Sequence, residues 1–458
     1  MINIQSDSRK IKPGDTFIAV QCEVNDGHKY VESAIRNGAK KIIVEKVDKD
    51  YDVETLLVKD TREYLNKYLE EHYNKYLNEM NIIAITGTNG KTTTAKLIHD
   101  ILNKMGSKTA YIGTIGFYID KKICDLPNTA VDICDNYDLI MQAYEAGCNN
   151  VVMEISSHAA VNGRVKTLRF DYAIYTNLSQ DHLDYHKTMG NYALAKQLVF
   201  KQLKENGVAI INNDDKFKEY FLLPENKNVT YGFNEADVAI KDYELDKQGS
   251  SFTYVVDKKA YKTNIKLLGK YNIYNVLALI TTLTTMGLKQ KMILKYLPEL
   301  EPPVGRLQMV HYKTNTIVID YAHTPDAIEK VMTAMKEITK GNSYVVFGCT
   351  GDRDRLKRPI MTEYVANNSK YFIITNDDPH YEDPAQIVDD MTKDLDATNY
   401  EICLDREEAI IKGINMLEEN DTLFILGKGH EENMIIRDKK VPFSDYKVVK
   451  NYLESLGD

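Results

Sequence analysis

The sequence predicts an α/β protein of three domains: a small α/β domain, a central P-loop-type α/β domain and a C-terminal doubly wound parallel sheet. The chain has 458 residues, enough for about three domains that each bury a core. A glycine-rich turn joins an apolar run to a helical stretch near residue 86, and after residue 302 apolar runs alternate with helical stretches. We place the domains at residues 1–78, 79–301 and 302–458.

The N-terminal domain is predicted from short apolar runs that alternate with one helical stretch. The runs cover residues 16–20, 41–44 and 55–58, and the helical stretch covers 30–37. Residues 62–76 are charged and rich in tyrosine and leucine, which is typical of an amphipathic helix linking two domains.

The central domain is predicted around the segment TGTNGKTTT, residues 86–94, which follows the apolar run 81–85 and precedes a helical stretch. A strand that turns through glycines into a helix cradles phosphate, because backbone N–H groups and the positive end of the helix dipole meet there. Lys91 adds a charge for the outer phosphates, and the Thr92 hydroxyl is placed for Mg²⁺. Ile85 stands where the full Walker A pattern has glycine, so the match is to the core GxxGK[ST]. Further strands are predicted at 151–155, 172–176 and 208–211.

The C-terminal domain is predicted after the consecutive prolines Pro302 and Pro303, which interrupt the preceding pattern. Strands are predicted at 316–320, 343–347, 371–375, 401–404 and 422–426. Helices are predicted at 326–335, 359–367, 384–395 and 407–417. This alternation is typical of a doubly wound parallel sheet, which binds ligands at the carboxyl ends of its strands.

Composition disfavours several classes of function. The formal net charge of −9 argues against a nucleic acid or an anionic membrane as partner. The sequence starts without an apolar signal core and has no apolar run of the roughly 18 residues needed to cross a bilayer, so we expect a cytoplasmic protein. The six cysteines form no Cys-x-x-Cys pair, which favours buried thiols over disulfides. We expect a monomer that binds small-molecule substrates.

Two groups of polar residues follow predicted strands of the central domain. Glu154 ends the apolar run in VVMEISSH, where a carboxylate is well placed to bind Mg²⁺, although a lone glutamate there is often a solvated cap. His182 lies in NLSQDHLDYH beside Asp181, Asp184 and His186. This density leaves two interpretations open, a structural histidine and a metal or phosphate site.

Motifs over nearly the whole chain resemble the Mur ligases, and within that family the MurE branch, the UDP-N-acetylmuramyl-tripeptide synthetases. Their order and spacing match in DSRKIKPGDTFIAV, DGHKY, TGTNGKTTT, MEISSHAAVNGRV, TNLSQDHLDYH, YALAK, KYNIYNVLA, VGRLQ, DYAHTPDA, VFGCTGDRDRLKRP, NDDPHYEDP and GKGHEE. The resemblance implies a UDP-sugar-binding N-terminal domain, a central ATPase and a Rossmann-like amino-acid-binding C-terminal domain. It implies a ligase of peptidoglycan precursor synthesis that adds a dibasic amino acid to UDP-MurNAc-L-Ala-D-Glu, through an acyl phosphate, with ATP converted to ADP and phosphate.

The resemblance also implies a site for ATP and Mg²⁺. Lys196 matches a lysine that the family carbamylates with CO₂, which turns a cationic amine into an anionic oxygen ligand. Arg306 and Asp320 would reach ATP only when the C-terminal domain closes. The implied ATP-binding residues are Gly87, Thr88, Asn89, Gly90, Lys91, Thr92, Thr93, Asn272, Asn275 and Arg306. The implied catalytic residues are Lys91, Glu154, His182, Lys196, Arg306 and Asp320, and the metal ligands are Thr92, Glu154, His182 and carbamylated Lys196.

Residues that would contact the UDP-sugar peptide match the family less completely. They are Ser8 with its neighbour Arg9, Thr129, Ser156, Ser157 and Arg164. The family usually has glycine at Cys22 and the string Asn-Thr-Thr-Pro at residues 128–131, where this chain has Asn-Thr-Ala-Val. Its N-terminus is also shorter than the family's.

The implied amino-acid-binding residues are Arg358, Asp377, Asp378, His380, Gly427 and Glu431. Enzymes of the family that use meso-diaminopimelate carry Asp-Asn-Pro-Arg where this chain has Asp-Asp-Pro-His, residues 377–380. Loss of that guanidinium removes a two-pronged carboxylate clamp, and Asp378 makes the pocket more acidic. The sequence therefore predicts a dibasic amino acid with less demand for a distal carboxylate, such as lysine or ornithine.

Two alternatives differ in class from a MurE-type ligase. A Mur-ligase paralogue would form an amide on a non-muramyl carboxylate; Cys22, Val304 and Thr350, which depart from the family pattern, favour it. A catalytically silent nucleotide-binding protein is disfavoured because all six implied catalytic residues are present.

Overall fold

The structure, a computed structural model, describes residues 2–21, 26–336 and 339–457. Cys22 lies outside the described residues. The strands form a four-stranded, an eleven-stranded and a six-stranded sheet, followed by a two-stranded hairpin. Within the described ranges, no helix is both long and apolar enough to cross a membrane.

The N-terminal sheet has four parallel strands that are adjacent in chain order. They are β1 (Ile4–Gln5), β2 (Thr16–Ile18), β3 (Lys41–Val44) and β4 (Glu54–Leu57). Two helices accompany them, α1 (Val31–Arg36) and α2 (Thr61–Leu77). The structure confirms the predicted linking helix, since α2 spans the charged, tyrosine-rich segment.

Helix α2 joins the N-terminal sheet to the central domain through one apolar core. Its buried residues recur every four positions, which is the spacing of one helix face, at Thr61, Leu65, Leu69, Tyr73 and Leu77. This face packs in a single cluster with side chains of the N-terminal sheet, such as Ile4 and Ile43, and of the central domain, such as Tyr137 and Phe170. The two domains thus share buried apolar surface.

The central sheet has eleven strands in the order β15-β14-β13-β12-β11-β10-β5-β9-β6-β7-β8. They are β5 (Asn81–Thr86), β6 (Thr109–Gly113), β7 (Gly116–Tyr118), β8 (Lys122–Cys124), β9 (Asn150–Glu154), β10 (Phe170–Tyr175), β11 (Leu203–Asn212), β12 (Lys227–Gly232), β13 (Val238–Asp246), β14 (Gly249–Val256) and β15 (Lys259–Ile265). The helices are α3 (Lys91–Lys104), α4 (Ile133–Glu145), α5 (Ser157–Val161), α6 (Leu183–His186), α7 (Met189–Phe200), α8 (Lys270–Thr285) and α9 (Gln290–Tyr296).

Strand β5, which carries the phosphate loop, lies in the middle of this sheet between β9 and β10, parallel to both. The carboxyl ends of the three strands therefore meet at one edge, where Thr86, Glu154 and Thr176 lie. The predicted strands of the central domain are confirmed as β5, β9, β10 and β11. The antiparallel strands β13–β15 extend the sheet at one end and were not predicted.

The C-terminal sheet has six strands in the order β16-β17-β21-β18-β19-β20, of which β16 is an antiparallel edge and the rest are parallel. They are β16 (Gln308–Tyr312), β17 (Asn315–Asp320), β18 (Ser343–Phe347), β19 (Tyr371–Ile374), β20 (Tyr400–Ile402) and β21 (Thr422–Leu426). The hairpin β22 (Asn433–Ile436) and β23 (Lys439–Pro442) follows. The helices are α10 (Pro325–Lys336), α11 (Lys357–Asn368), α12 (Pro384–Thr392), α13 (Arg406–Asn415) and α14 (Asp445–Ser455). The predicted parallel sheet is confirmed.

A buried ion pair fixes two strand ends of this sheet. Arg406 donates from Nε and Nη2 to the carboxylate of Asp445 at 2.7 and 2.8 Å, and neither side chain is exposed. The same guanidinium donates to the carbonyls of Asn376, after β19, and Leu426, at the end of β21. It therefore holds the backbone directly before Asp377 and Gly427.

Candidate active site

The phosphate loop turns at two glycines that have no room for a side chain. Gly87 has φ 150° and Gly90 has φ 85°, a conformation that favours glycine. A Cβ on Gly87 would lie 1.9 Å from Thr176 Oγ1, and one on Gly90 would lie 2.4 Å from Asn275 Oδ1. The loop is therefore pressed between β10 and α8, and α3 starts directly after it with its N–H groups facing the loop.

Two lysines converge on this loop. Lys196 Nζ donates to the Gly87 carbonyl at 2.7 Å, and Lys91 Nζ donates to the carbonyls of Gly87 at 3.0 Å and Thr88 at 2.8 Å. Lys196 is 1% exposed, so burial, together with the charge of Lys91, lowers its pKa well below the usual range. Burial also lowers the pKa of Lys91. Each lysine contacts backbone oxygens of the loop, and these hydrogen bonds pair neither of them with a carboxylate.

Glu154, at the end of β9, is fully buried beside Thr92. Its carboxylate accepts hydrogen bonds from Thr92 Oγ1 at 2.8 Å, Thr114 N at 3.1 Å and Thr114 Oγ1 at 3.2 Å, and from the Tyr111 hydroxyl. Burial, with the carboxylate nearby, raises the pKa of Tyr111 well above its usual range. Carboxylate and hydroxyl oxygens next to a phosphate loop are the ligands that Mg²⁺ prefers, so the predicted magnesium ligands Glu154 and Thr92 fit that ion.

His182 lies in a cluster of histidines next to the helix that carries Lys196. Its ring centroid is 4.8 Å from that of His158, and its Nε2 is 3.3 Å from Asp181 Oδ2. Burial lowers the pKa of His182 to about 3, although Asp181 acts in the opposite direction. A neutral imidazole is the form that binds a metal. His186 is held by Ser157, whose Oγ lies 2.9 Å from its Nε2.

Three side chains of the C-terminal domain contact the central domain around the phosphate loop. Arg306 Nη2 donates to Thr92 Oγ1 at 3.2 Å, and Lys357 Nζ lies 3.1 Å from Asp181 Oδ1. Asp326 accepts hydrogen bonds from Asn89 Nδ2 at 2.6 Å and Ser179 Oγ at 3.3 Å. The structure is thus a closed arrangement in which Arg306 reaches the phosphate loop. Lys357 and Asp326 are contacts that motif reading missed; Lys357 is next to the predicted Arg358.

Arg306 is positioned by its own domain. Its guanidinium lies over the Tyr321 ring at 4.5 Å, and its Nε is buried with no hydrogen-bond partner among the described residues. Asp320 Oδ2 accepts a hydrogen bond from the Leu307 amide at 2.5 Å, so Asp320 fixes the backbone beside Arg306. Burial raises the pKa of Asp320, against the opposing effect of Arg306.

We expect Lys357→Met to weaken the closed arrangement. Both partners of the Lys357–Asp181 ion pair are buried, and although burial acts to raise the pKa of Asp181, Lys357 and His182 hold it well below its usual range. Removing the lysine leaves a buried, unpaired carboxylate. Breaking a buried ion pair in this way typically destabilises the arrangement that holds it by about 3–5 kcal/mol of free energy if the structure cannot relax. Turnover should fall roughly tenfold to a hundredfold as closure weakens, and the radius of gyration from small-angle scattering should rise. The exposed Lys393→Met is the matched control; wild-type turnover and radius in Lys357→Met would contradict the expectation.

An acidic pocket lies at the strand ends of the C-terminal sheet. One oxygen from each of Asp377, Asp378 and Glu431 lies within 4.8 Å of the others. Lys428 Nζ donates to Asp378 Oδ1 at 2.7 Å and to Glu431 Oε2 at 2.8 Å. Asp377 Oδ2 is buried with no hydrogen-bond partner in the described chain, and it lies 2.3 Å from where a Cβ on Gly427 would be. Burial raises the pKa of Glu431 to about 7, against the effect of Lys428.

Arg358, predicted to contact the amino acid, is fully buried beneath this pocket. Its guanidinium donates to Glu382 at 2.9 and 2.8 Å and to Asp390 at 2.8 Å. Two carboxylates thus accept hydrogen bonds from its two terminal nitrogens, whereas its buried Nε has no hydrogen-bond partner among the described residues. A direct contact of Arg358 with an amino acid stays a prediction. His380 has φ 51°, and its backbone joins the hairpin, with His380 N donating to the Ile435 carbonyl at 3.1 Å.

The residues predicted for the UDP-sugar peptide fall into two groups. Thr129 Oγ1 lies 3.1 Å from Thr114 Oγ1, which itself contacts Glu154, and Arg164 Nη1 donates to the carbonyl of Ala130, the residue after Thr129, at 3.0 Å. Ser156 caps α5 by accepting a hydrogen bond from Ala159 N, and Ser157 holds His186. Ser8 is buried in a turn of the N-terminal domain, and the hydrogen bonds of the described residues do not link it to the other four.

Comparison with known proteins relates all three parts of the chain to one family. Residues 2–80 match the family model described as "Mur ligase family, catalytic domain". Residues 85–283 match the model "Mur ligase middle domain", and residues 305–429 match the model "Mur ligase, glutamate ligase domain".

Two curated relatives match over nearly their full length. Both are named UDP-N-acetylmuramoyl-L-alanyl-D-glutamate–2,6-diaminopimelate ligase. The Bacillus cereus protein is 38% identical, over 98% of this chain and 93% of its own length. The Aquifex aeolicus protein is 39% identical, over 99% of this chain and 94% of its own length.

Two solved structures resemble the whole chain. A structure of UDP-N-acetylmuramoyl-L-alanyl-D-glutamate–2,6-diaminopimelate ligase is 31% identical, with a TM-score of 0.68, and the match covers 100% of this chain and 95% of that one. MurF ligase from Thermotoga maritima in complex with ADP is 18% identical, with a TM-score of 0.72. The match covers 99% of this chain and 98% of that one, so the two proteins share the fold.

Proposed function

This chain belongs to the Mur ligase family, and on that premise we propose that it joins a dibasic amino acid to the D-Glu side-chain carboxylate of UDP-MurNAc-L-Ala-D-Glu, with ATP converted to ADP and phosphate. The observation that carries the proposal is the convergence of Lys91, Glu154, Lys196 and Arg306 on one phosphate loop. We place this reaction in the cytoplasm, as a step of peptidoglycan precursor synthesis, and propose a monomer.

We propose that the amino acid is diaminopimelate. His380 favours lysine or ornithine, but the curated relatives described above are named for 2,6-diaminopimelate. The acidic pocket of Asp377, Asp378 and Glu431 suits any amino acid with a distal ammonium group. The three domains, at residues 1–78, 79–301 and 302–458, would bind the UDP-sugar, ATP and the amino acid respectively.

The first step is transfer of the γ-phosphoryl group. A carboxylate oxygen of D-Glu attacks the γ-phosphorus, the bond to the bridging oxygen breaks, and ADP leaves. Both reactants are anions, so cationic side chains must offset their repulsion. Lys91, the N–H groups at the start of α3 and the guanidinium of Arg306 are placed to do this. Thr92 and Glu154 would hold Mg²⁺, which neutralises phosphate charge when bound.

Lys196 has a separate part in this proposal. Burial lowers the pKa of its amine well below the usual range and so favours the neutral form, which is the form that adds to CO₂ with loss of a proton. The resulting carbamate would be an anionic oxygen ligand next to His182 and the phosphate loop. This observation supports the carbamate that the family resemblance implies.

The second step forms the amide. The amine nitrogen of the amino acid attacks the acyl carbon, the C–O bond to phosphate breaks, and phosphate and a proton leave. The contacts of Arg306 with Thr92 and of Lys357 with Asp181 join the C-terminal domain to the central domain beside the phosphate loop, and this closed arrangement would exclude water from the acyl phosphate.

Mass spectrometry of the reaction product tests the proposal. Protein, ATP, Mg²⁺, bicarbonate and UDP-MurNAc-L-Ala-D-Glu are incubated with lysine, ornithine, meso-diaminopimelate or LL-diaminopimelate in separate tubes. We expect a UDP-linked tripeptide in a diaminopimelate tube. No product in any tube, with ATP binding intact, would contradict the proposal and favour a paralogue with another carboxylate substrate.

A further inference from the structure

The proposed amino acid carries a charge that the acidic pocket does not match. Diaminopimelate has two ammonium and two carboxylate groups, whereas lysine lacks the second carboxylate. The three carboxylates of the pocket suit the ammonium groups. Its single lysine, Lys428, is fully buried between Asp378 and Glu431 and is already neutralised by them. A distal carboxylate therefore needs another cation at the rim of the pocket.

Most guanidinium groups around the pocket are already paired. Arg358 is occupied by Glu382 and Asp390, and Arg355 lies 2.7 Å from Glu382. Arg353 donates to the carbonyl of Asp352. Arg437, at the turn of the β22–β23 hairpin, is exposed, and no carboxylate of the described chain pairs with it. Its guanidinium is therefore open to a substrate carboxylate.

The hairpin ties the backbone of Arg437 to the loop that carries Asp378. Ile435, two residues earlier, donates its N–H to Asp378 Oδ1 at 2.9 Å. Arg437 N itself donates to the carbonyl of His380 at 2.8 Å, and the Tyr381 hydroxyl donates to Asp438. The loop at residues 378–381 and the hairpin turn are therefore one connected unit, with Asp378 at one end and Arg437 at the other.

The backbone of Arg437 is in an unfavourable conformation for an arginine. Its φ is 54°, in the left-handed region that favours glycine, because Arg437 begins the two-residue turn between β22 and β23. The His380 side chain, on the other side of the shared hydrogen bond, cannot offer the planar two-pronged donor of a guanidinium.

We infer that Arg437 binds the distal carboxylate of the amino-acid substrate and sets the preference for diaminopimelate over lysine. This inference rests on the proposed function. The ammonium groups lie toward Asp377, Asp378 and Glu431, and the guanidinium closes the pocket from the hairpin side.

Steady-state kinetics with two amino acids test this assignment. KM for meso-diaminopimelate and for lysine is measured in wild type, Arg437→Gln and Arg437→Lys. Loss of a charge-assisted hydrogen bond should raise KM for diaminopimelate about 10- to 150-fold in Arg437→Gln. KM for lysine should stay unchanged, and Arg437→Lys should recover part of the loss. Lys440→Gln, which removes a cation from the other strand of the hairpin, is the matched control.

Four outcomes would overturn the assignment. They are an unchanged KM for diaminopimelate in Arg437→Gln, an equal rise for both amino acids, a selective rise in Arg353→Gln instead, and a wild type that uses lysine but not diaminopimelate. A wild type that forms no tripeptide with any amino acid would instead contradict the proposed function, and the role of Arg437 with it.

Discussion

Replacing Lys196 with alanine should lower the rate of tripeptide formation on the order of a thousandfold, the size of effect seen when a preorganised charged group at a reacting centre is removed. The side chain is buried, and its Nζ lies 2.7 Å from the carbonyl of Gly87 in the phosphate loop. Alanine removes the nitrogen that would carry the carbamate and leaves a cavity next to Tyr192, whose ring lies 4.5 Å from Nζ.

The cavity gives this prediction a sharper test. A short carboxylic acid such as acetate or formate can supply the missing anionic oxygens, so its addition should restore part of the activity of Lys196→Ala. Initial rates with and without the acid are compared with those of Lys201→Ala, an exposed lysine at the end of the same helix. Full activity in Lys196→Ala without any added acid would remove the carbamate from the proposal.

The second large effect is expected from Glu154→Gln, which keeps the shape of the side chain but removes its charge. The carboxylate accepts hydrogen bonds from Thr92, Thr114 and Tyr111, so each of these hydrogen-bond partners is a donor. An amide NH₂ in that place faces other donors, and a metal ion loses an anionic ligand. We expect turnover to fall on the order of a thousandfold.

A magnesium titration of activity distinguishes loss of the ligand from misfolding. The Mg²⁺ concentration for half-maximal activity should rise in Glu154→Gln, while the thermal midpoint stays within a few degrees of wild type. Glu205→Gln, an exposed carboxylate in the same domain, is the control. A wild-type magnesium response in Glu154→Gln would show that another group holds the ion.

Local sequence patterns predicted the elements whose signals are local. The phosphate loop was readable because glycine, lysine and threonine stand at fixed spacing between a buried strand and a helix. The parallel strands of the C-terminal sheet were readable because burial on both faces makes them continuous apolar runs. Strands β13 to β15 were not predicted, since several of their side chains are charged and exposed.

Contacts between distant segments could not be read from the chain. Lys357 and Asp181 are 176 positions apart, and neither has a local pattern that points to the other. Arg358 shows the same limit, since nothing in its motif pointed to Glu382 and Asp390, which the fold brings to its guanidinium. The approach of Arg437 to the pocket depends on how a short hairpin docks on the loop at residues 378–381, which no periodicity encodes.

The apolar core shared by the N-terminal sheet and the central domain determines which domain can move about a hinge. Separating these two domains would expose the apolar side chains that α2 brings together, including Leu65, Leu69 and Phe170. Between the central and C-terminal domains, the contacts at the phosphate loop are polar, and water can replace them, although Leu268 and Tyr271 of the central domain also pack against the apolar core of the C-terminal domain. We therefore expect the C-terminal domain to rotate about the segment near Pro303 when substrate enters and product leaves. The N-terminal and central domains should move together as one rigid body.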